Sequence, residues 1–162
     1  MLKYTWRPAV GSDVPNIVAM AESHFQTEID NIFTPSPIAY SRNITLAVVN
    51  QFYSPNTELL SVAVDDNNKL IAYTWAKAND YAAWSYDQMV KFRMAHVDLD
   101  LTSRDRVRLL IDMMKLWEGF ASLINVKIIC STTMRHDQQA FLKLHAKNGY
   151  DVRGSYAYKK LL

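Results

Sequence analysis

Three side chains that can exchange protons or bind metals recur at alternate positions near the middle of the chain. His96, Asp98 and Asp100 would lie on one face of a strand, because successive side chains of a strand point to opposite sides. A carboxylate or an imidazole beside a cleft can remove a proton from an amine, so the run is a candidate general base. The spacing also resembles a metal-ligand set, but we expect no metal because no Cys or His elsewhere completes it. A solvated polar face is the third interpretation.

A further imidazole is predicted in a helix near the C-terminal end. His145 falls on the apolar face of a helix predicted from Asp137 to Asn148, and histidine can act as an acid near neutral pH. The alternative is a structural histidine packed beside Leu144. Cys130, the single cysteine, ends a short apolar run and is interpreted as a small buried side chain.

The stretch from Met94 to Tyr150 must position these groups, and its pattern predicts strand, helix, strand and helix. One face of the first strand should face the core: Ala95, Val97, Leu99 and Leu101. Thr102 or Ser103 can then cap a helix that ends at Leu123. That helix carries two adjacent apolar stripes, so it is predicted to be buried on more than one side or to contribute to a homodimer.

The remaining segments complete an α+β domain of residues 1–162 in the order β-α-α-β-β-β-α-β-α-β. Helices are predicted after Ser12-Asp13 and from Ser36-Pro37 to about Tyr53. The other predicted strands are Lys3–Arg7, Leu59–Val64, Leu70–Ala76, Val126–Ser131 and Tyr150–Leu161. An aromatic loop, residues 79–86, precedes the strand that starts at Gln88.

Composition indicates a globular protein and excludes several functional classes. Hydrophobic residues are 49% and charged residues 21% of the 162 residues, which is typical of a folded domain. The net charge of +2 does not by itself indicate a nucleic-acid partner. No apolar run approaches the roughly 20 residues of a membrane span, and the first residues have no signal-peptide core. One cysteine fits a reducing compartment, so we expect a cytoplasmic protein without membrane or nucleic-acid partners.

Two local patterns and the element order resemble the GNAT superfamily of N-acyltransferases. The opening Trp6-Arg-Pro-Ala9, followed by Ser12-Asp-Val-Pro15 and a helix, is similar to the start of that family. Residues 141–150, Phe-Leu-Lys-Leu-His-Ala-Lys-Asn-Gly-Tyr, resemble its last helix and the Gly-aromatic step after it. The resemblance implies α/β/α layers around a mixed, mostly antiparallel sheet. It also implies acetyl-CoA as co-substrate, between strands at about Met94–Leu101 and Val126–Ser131, and a small-molecule or peptide amine as acceptor.

The turn that holds the pyrophosphate of CoA in that family departs from the family pattern here. Small residues and the N-terminus of a helix favour an anion, but Asp105 and Val107 stand where the family has glycines. Arg104, Arg106 and Arg108 could pair with phosphates instead, or could form a solvated charged face. The contacts to CoA that the resemblance implies are Leu99, Leu101, Thr102, Ser103, Arg104, Asp105, Arg106, Val107, Arg108 and Gln138, the last where many members have Asn.

The resemblance also implies roles for the proton-exchanging residues. Members often use an acidic residue on the strand before this turn, which makes Asp98 the first choice of base and Asp100 the second. His145 stands where many members have a tyrosine that protonates the departing thiolate, so it is the predicted acid.

Two functional hypotheses follow. The first is an N-acetyltransferase that transfers an acetyl group from acetyl-CoA to a primary amine. The second is an inactive GNAT-like module, such as a phage structural or accessory protein, that acts by protein contact. The glycine-free turn, the double apolar stripe and the aromatic loop with Tyr81, Trp84 and Tyr86 favour the second hypothesis.

Overall fold

A computed structural model describes residues 2–28, 32–135, 138–154 and 156–161. These residues form five strands: β1 (Tyr4–Pro8), β2 (Glu58–Asp65), β3 (Leu70–Tyr81), β4 (Gln88–Val97) and β5 (Ile128–Cys130). They also form four α-helices: α1 (Val14–Glu28), α2 (Pro37–Tyr53), α3 (Ser103–Leu123) and α4 (Gln139–Lys147). None of the helices in the described part of the chain is long and apolar enough to cross a membrane.

The sheet has the strand order β1-β2-β3-β4-β5 and is antiparallel except at its last pair, β4 and β5. Two apolar clusters cover its faces. One is built around α3, with Met113, Trp117 and Phe120, and the other around α1 and α2, with Ile17 and Ile44. The α/β/α layering and the mostly antiparallel sheet that were predicted from the sequence are therefore confirmed.

Local sequence signals explain the helix boundaries. Ser36 caps α2 by accepting a hydrogen bond from the Ala39 N–H, and Pro37 occupies the first helical position, where a missing N–H costs nothing. Thr102 caps α3 in the same way, through the Asp105 N–H. The predicted start of the last helix at Asp137 lies outside the described residues; α4 is seen from Gln139.

Two strand predictions were wrong. β4 ends at Val97 and not at Leu101, because the Asp98 carboxylate accepts the Asp100 N–H at 3.0 Å and turns the chain out of the sheet. Leu99 is consequently exposed and does not face the core. The described residues of 150–161 form no strand; Gly154 has a φ of 75°, which interrupts an extended segment.

The buried part of the two apolar stripes of α3 is shorter than predicted. Leu109, Met113, Met114, Trp117, Phe120 and Ala121 are buried. Val107 and Leu123, which the pattern assigned to the same stripes, are exposed. The helix therefore buries one broad face against the sheet.

We predict that Trp117 is a large contributor to stability. Its side chain is 1% exposed, its Nε1 donates to Thr74 Oγ1 at 2.8 Å, and its ring stacks on Phe92. Trp117→Ala should lower the free energy of unfolding by about 3–5 kcal/mol, because it leaves a cavity and removes the hydrogen bond that the Thr74 hydroxyl accepts. Urea denaturation measures the change. Leu123→Ala, at an exposed position of the same helix, is the control and should stay within about 0.5 kcal/mol of the wild type.

Candidate acyl-transfer site

The parallel pair of strands separates after only three residue pairs. Met89–Lys91 pairs with Ile128–Cys130, and the described ladder ends there. Trp75 of β3 opposes Met94 and Ala76 opposes Phe92, so Arg93 is an extra residue, a β-bulge in β4. A bulge bends its strand and increases the local twist. The bulge therefore accompanies the divergence of β4 from the chain that follows β5.

A cavity of about 200 Å³ occupies the gap between the diverging segments. β4 contributes residues 92–97 to its wall, and the chain after β5 contributes residues 132–135. The end of α1 closes the cavity with His24, Phe25 and Glu28. The gap predicted between the two strands thus exists, but it lies next to Phe92–Val97 and Thr132–Arg135 and not at the paired residues.

A carboxylate and two imidazoles meet in the wall of this cavity. Glu28 Oε2 lies 3.0 Å from His96 Nε2, and Glu28 Oε1 lies 3.6 Å from His24 Nδ1. Both histidines are 1% exposed, and their rings stack at 4.3 Å with planes 8° apart. His24 and Glu28 are one helical turn apart, so α1 presents both on the same face. Glu28 and His24 were missed in the sequence; their i, i+4 spacing was the only signal.

The proton positions follow from the environment of each group. Burial alone would raise the pKa of Glu28, but the hydrogen bonds and charges of His24, His96 and Arg135 outweigh it and lower the pKa to about 2. Burial lowers the pKa of His96, against the opposing effect of Glu28. Glu28 is therefore ionised and His96 neutral at neutral pH, with the His96 Nε2–H donating to the carboxylate.

The other nitrogen of His96 continues the network into the core. Tyr73 Oη lies 2.6 Å from His96 Nδ1, and Tyr40 Oη lies 2.7 Å from Tyr73 Oη. Burial raises the pKa of both tyrosines, so both remain protonated. With Nε2 as donor, Nδ1 must accept from Tyr73, and Tyr73 then accepts from Tyr40. Each group in this chain of hydrogen bonds donates to the next, from Tyr40 through Tyr73 and His96 to Glu28. A proton added at His96 Nδ1 would make that nitrogen a donor, so Tyr73 would then donate to Tyr40.

The ligand atoms of His24, Glu28 and His96 lie within 4.8 Å of one another, which is a spacing that a metal ion could use. The imidazole lone pairs lie in the ring planes, however, and nearly parallel planes do not converge on one ion. In this arrangement the three residues form a hydrogen-bonded ion cluster.

The predicted bases lie elsewhere. Asp98 and Asp100 line a separate cavity beside α1, and the Asp98 carboxylate pairs with Lys69 Nζ at 2.7 Å. Burial raises the pKa of Asp98, but the Lys69 and Asp100 hydrogen bonds outweigh it and lower the pKa. His96 was predicted to share a strand face with both aspartates. β4 ends at Val97, between His96 and Asp98, and of the three residues only His96 lines the cavity at the strand gap. Their role as base stays a prediction.

His145, the predicted acid, lies in a neighbouring cavity of about 600 Å³ between β5, α4 and the segment after α4. Its Nδ1–H donates to the Phe141 carbonyl at 2.9 Å, and its Nε2 lies 2.7 Å from Ser131 Oγ. Burial lowers the pKa of His145, so its neutral form accepts a hydrogen bond from the Ser131 hydroxyl. The two cavities share Thr132, Thr133 and Phe141.

The turn predicted to hold phosphates is occupied by its own side chains. Thr102 Oγ1 donates to Asp105 Oδ2 at 2.7 Å and accepts the Asp105 N–H, so a carboxylate already lies at the positive end of α3. Arg106 bonds to Ser103, and Arg108 bonds to the Leu2 carbonyl and covers the Tyr4 ring. Arg104 is exposed.

The other predicted CoA contacts are Leu99 and Leu101 before this turn, Val107 within α3, and Gln138, which lines the larger cavity. They remain predictions.

Three solved structures share this fold at low sequence identity. A predicted acetyltransferase from Clostridium acetobutylicum, solved with acetyl-CoA, matches with a TM-score of 0.72 and 14% identity over 98% of this chain and 96% of that one. The aminoglycoside 6'-N-acetyltransferase AAC(6')-Ih from Acinetobacter baumannii gives 0.71 and 13% over 99% of each chain. The glucosamine-6-phosphate N-acetyltransferase from Arabidopsis thaliana gives 0.67 and 9% over 98% of each.

The chain has the GNAT fold. No protein-family model matches its sequence, and no curated protein matches it either. The fold predicted from the opening residues, the last helix and the element order is thereby confirmed. At 9–14% identity the likeness establishes the fold alone.

We predict that Glu28 makes stability depend on pH in the acid range. Its pKa falls from 4.5 to about 2 in the folded protein, so its contribution is complete above about pH 4.5 and is lost as the pH falls through 2. The loss is on the order of 2–3 kcal/mol. Urea denaturation of wild type and Glu28→Gln at pH 6 and pH 3 isolates this effect, because other carboxylates contribute equally to both. Glu22→Gln, an exposed change on the same helix, should retain the wild-type pH dependence.

Proposed function

We propose that the chain transfers an acetyl group from acetyl-CoA to a primary amine in the cavity between β4 and the segment after β5. The observation that carries this proposal is the hydrogen bond between Glu28 and the buried His96 at the point where the sheet opens. A gap between the strands accommodates a thioester, and an ionised carboxylate there can receive an ammonium group.

Acetyl-CoA supplies an acetyl group activated as a thioester. The acyl end fits the opening of the sheet, which leaves space beside residues 92–97 and 132–135. At the phosphate end the backbone cradle is filled by Asp105, so recognition there relies on side chains. Arg104 is exposed and is the best placed of the three arginines to pair with a phosphate.

Proton removal is the task of the Glu28–His96 pair. An amine arrives as ammonium, and its nitrogen must lose two protons to become the amide. The first goes to solvent and frees the lone pair for attack on the carbonyl carbon. Ionised Glu28 is a weak base towards free ammonium, but the nitrogen that has bonded to the carbonyl carbon is much more acidic, so Glu28 takes up this second proton. His96 stabilises the pair by its hydrogen bond. The carbon–sulfur bond breaks, and the thiolate takes up a proton; His145, which is hydrogen-bonded to Ser131, is the donor predicted from the sequence.

A second function, a non-catalytic module that acts by protein contact, is favoured by one observation: the carboxylate of Asp105 occupies the α3 N-terminus where phosphate would bind. Calorimetry with CoA separates the two functions. No binding at millimolar CoA would overturn the transferase, and a stable dimer or partner complex by light scattering would then support the module.

Arg104→Gln should weaken CoA binding about tenfold, because a phosphate contact of about 1.4 kcal/mol is lost. Pantetheine, which lacks the phosphates, should bind both proteins equally. If the variant binds CoA as the wild type does, Arg104 belongs to a solvated face.

Glu28→Gln and His96→Asn should each lower kcat about 10²–10⁴-fold, with little change in the KM for acetyl-CoA, because they remove the proton acceptor and not the cofactor contacts. Thiol release from acetyl-CoA in the presence of a panel of primary amines measures both constants. Asp98→Asn and Asp100→Asn test the bases predicted from the sequence. A large fall in kcat for these two, with full activity in Glu28→Gln, would return the role to them. Circular dichroism checks that each variant is folded.

A further inference from the structure

The cavity at the strand gap contains charges of both signs close together. Glu28 is the one carboxylate among the described residues that line it, and Arg93 and Arg135 are the cationic ones. Arg135 Nε lies 3.8 Å from Glu28 Oε1, whereas Glu28 Oε2 is engaged by His96. A negative and a positive group thus stand side by side at one end of the cavity.

Most of the remaining wall is apolar, apart from His24, His96, Thr132 and Thr133. Phe25, Phe92 and Phe141 line it together with Leu110 and Met94. The volume of about 200 Å³ is below the roughly 300–1,000 Å³ of pockets for drug-sized ligands, and an apolar cavity of about 150 Å³ is known to hold benzene. The space therefore suits one small apolar group.

These features match a molecule that carries an ammonium group, a carboxylate next to it and an apolar side chain. We propose that the acceptor is a free α-amino acid with an aromatic or branched aliphatic side chain. Its ammonium group binds Glu28 Oε1, its carboxylate binds Arg135 with Arg93 beside it, and its side chain lies among the phenylalanines. This inference rests on the proposed function and names its substrate class.

The charges of Glu28, Arg93 and Arg135 disfavour acceptors that carry ammonium groups without a carboxylate. A polycationic acceptor such as an aminoglycoside would bring several ammonium groups to one carboxylate and two guanidinium groups, and like charges repel. An amine without a carboxylate would leave the cavity with three positive charges against one negative charge. A zwitterion matches one group of each sign, and its own two charges are as close together as those of Glu28 and Arg135.

Binding of L-phenylalanine, measured by calorimetry on the full chain without acetyl-CoA, tests the inference. Phenethylamine lacks the carboxylate, phenylalaninamide neutralises it, and kanamycin is polycationic. We expect L-phenylalanine to bind at least tenfold more tightly than each of these. Phenethylamine or kanamycin binding as tightly as L-phenylalanine would overturn the inference, as would no binding of L-phenylalanine or L-leucine at millimolar concentration.

Variants assign the two charged contacts. Arg135→Gln should weaken L-phenylalanine at least tenfold and leave phenethylamine unchanged, whereas Glu28→Gln should weaken both. Arg153→Gln, an exposed arginine that pairs with Asp151, is the control and should bind as the wild type does. Equal affinity of Arg135→Gln and wild type for L-phenylalanine contradicts the carboxylate contact.

The same samples separate this inference from the proposed function. If L-phenylalanine binds as expected but acetyl-CoA releases no thiol in its presence, the amino-acid site stands and the transferase fails. If other amines are acetylated while L-phenylalanine is inert, the transferase stands and the substrate class is wrong.

Discussion

A half-buried carboxylate beside two stacked imidazoles is the constraint on which the candidate site depends. Glu28 is the last residue of α1, and His96 is the next-to-last residue of β4, so their contact ties a helix end to a strand end. Tyr73 and Tyr40 extend the tie to β3 and α2. Removing one partner of a buried hydrogen bond leaves an unsatisfied polar group, which typically costs about 1–3 kcal/mol. Four elements, α1, α2, β3 and β4, are thus joined by one network.

The cavity beside this network exists because the pairing of β4 with β5 is short. A continuous parallel ladder between β4 and β5 would fill the space with backbone hydrogen bonds and leave no room for a ligand. Only three residue pairs form, and the bulge at Arg93 bends β4 where they end. Trp117 and Phe92 pack below the bulge, so the interruption rests on a buried aromatic stack and not on a mobile edge. Neighbouring residues of β4 thus have different roles: Phe92 packs in the core, and the bulge at Arg93 opens the site.

Local signals predicted the fold well, and long-range contacts limited the prediction of the site. Ser36-Pro37 and Thr102 determine where helices begin through contacts within three residues, so their positions could be read from the sequence. Glu28 and His96 are 68 residues apart, and no local pattern joins them. The alternating pattern predicted that His96, Asp98 and Asp100 share one face of a strand. The pattern does not reveal that β4 ends at Val97, because that end depends on one hydrogen bond, from the Asp100 N–H to the Asp98 carboxylate. The sequence therefore placed the general base at Asp98 and Asp100, after the end of β4, whereas the cavity at the strand gap contains His96 and Glu28.

The state of the two ends of the site bears on whether the chain is an enzyme. At the proposed phosphate end, Asp105 lies at the α3 N-terminus, where an anion would bind. At the proposed acyl end, an ionised carboxylate and two buried imidazoles line a small cavity. Replacing a buried ion cluster by well-packed apolar residues is often neutral or stabilising. The fold could therefore be kept with apolar residues at these positions, and the carboxylate at the strand gap supports the proposal that the chain acetylates an amine.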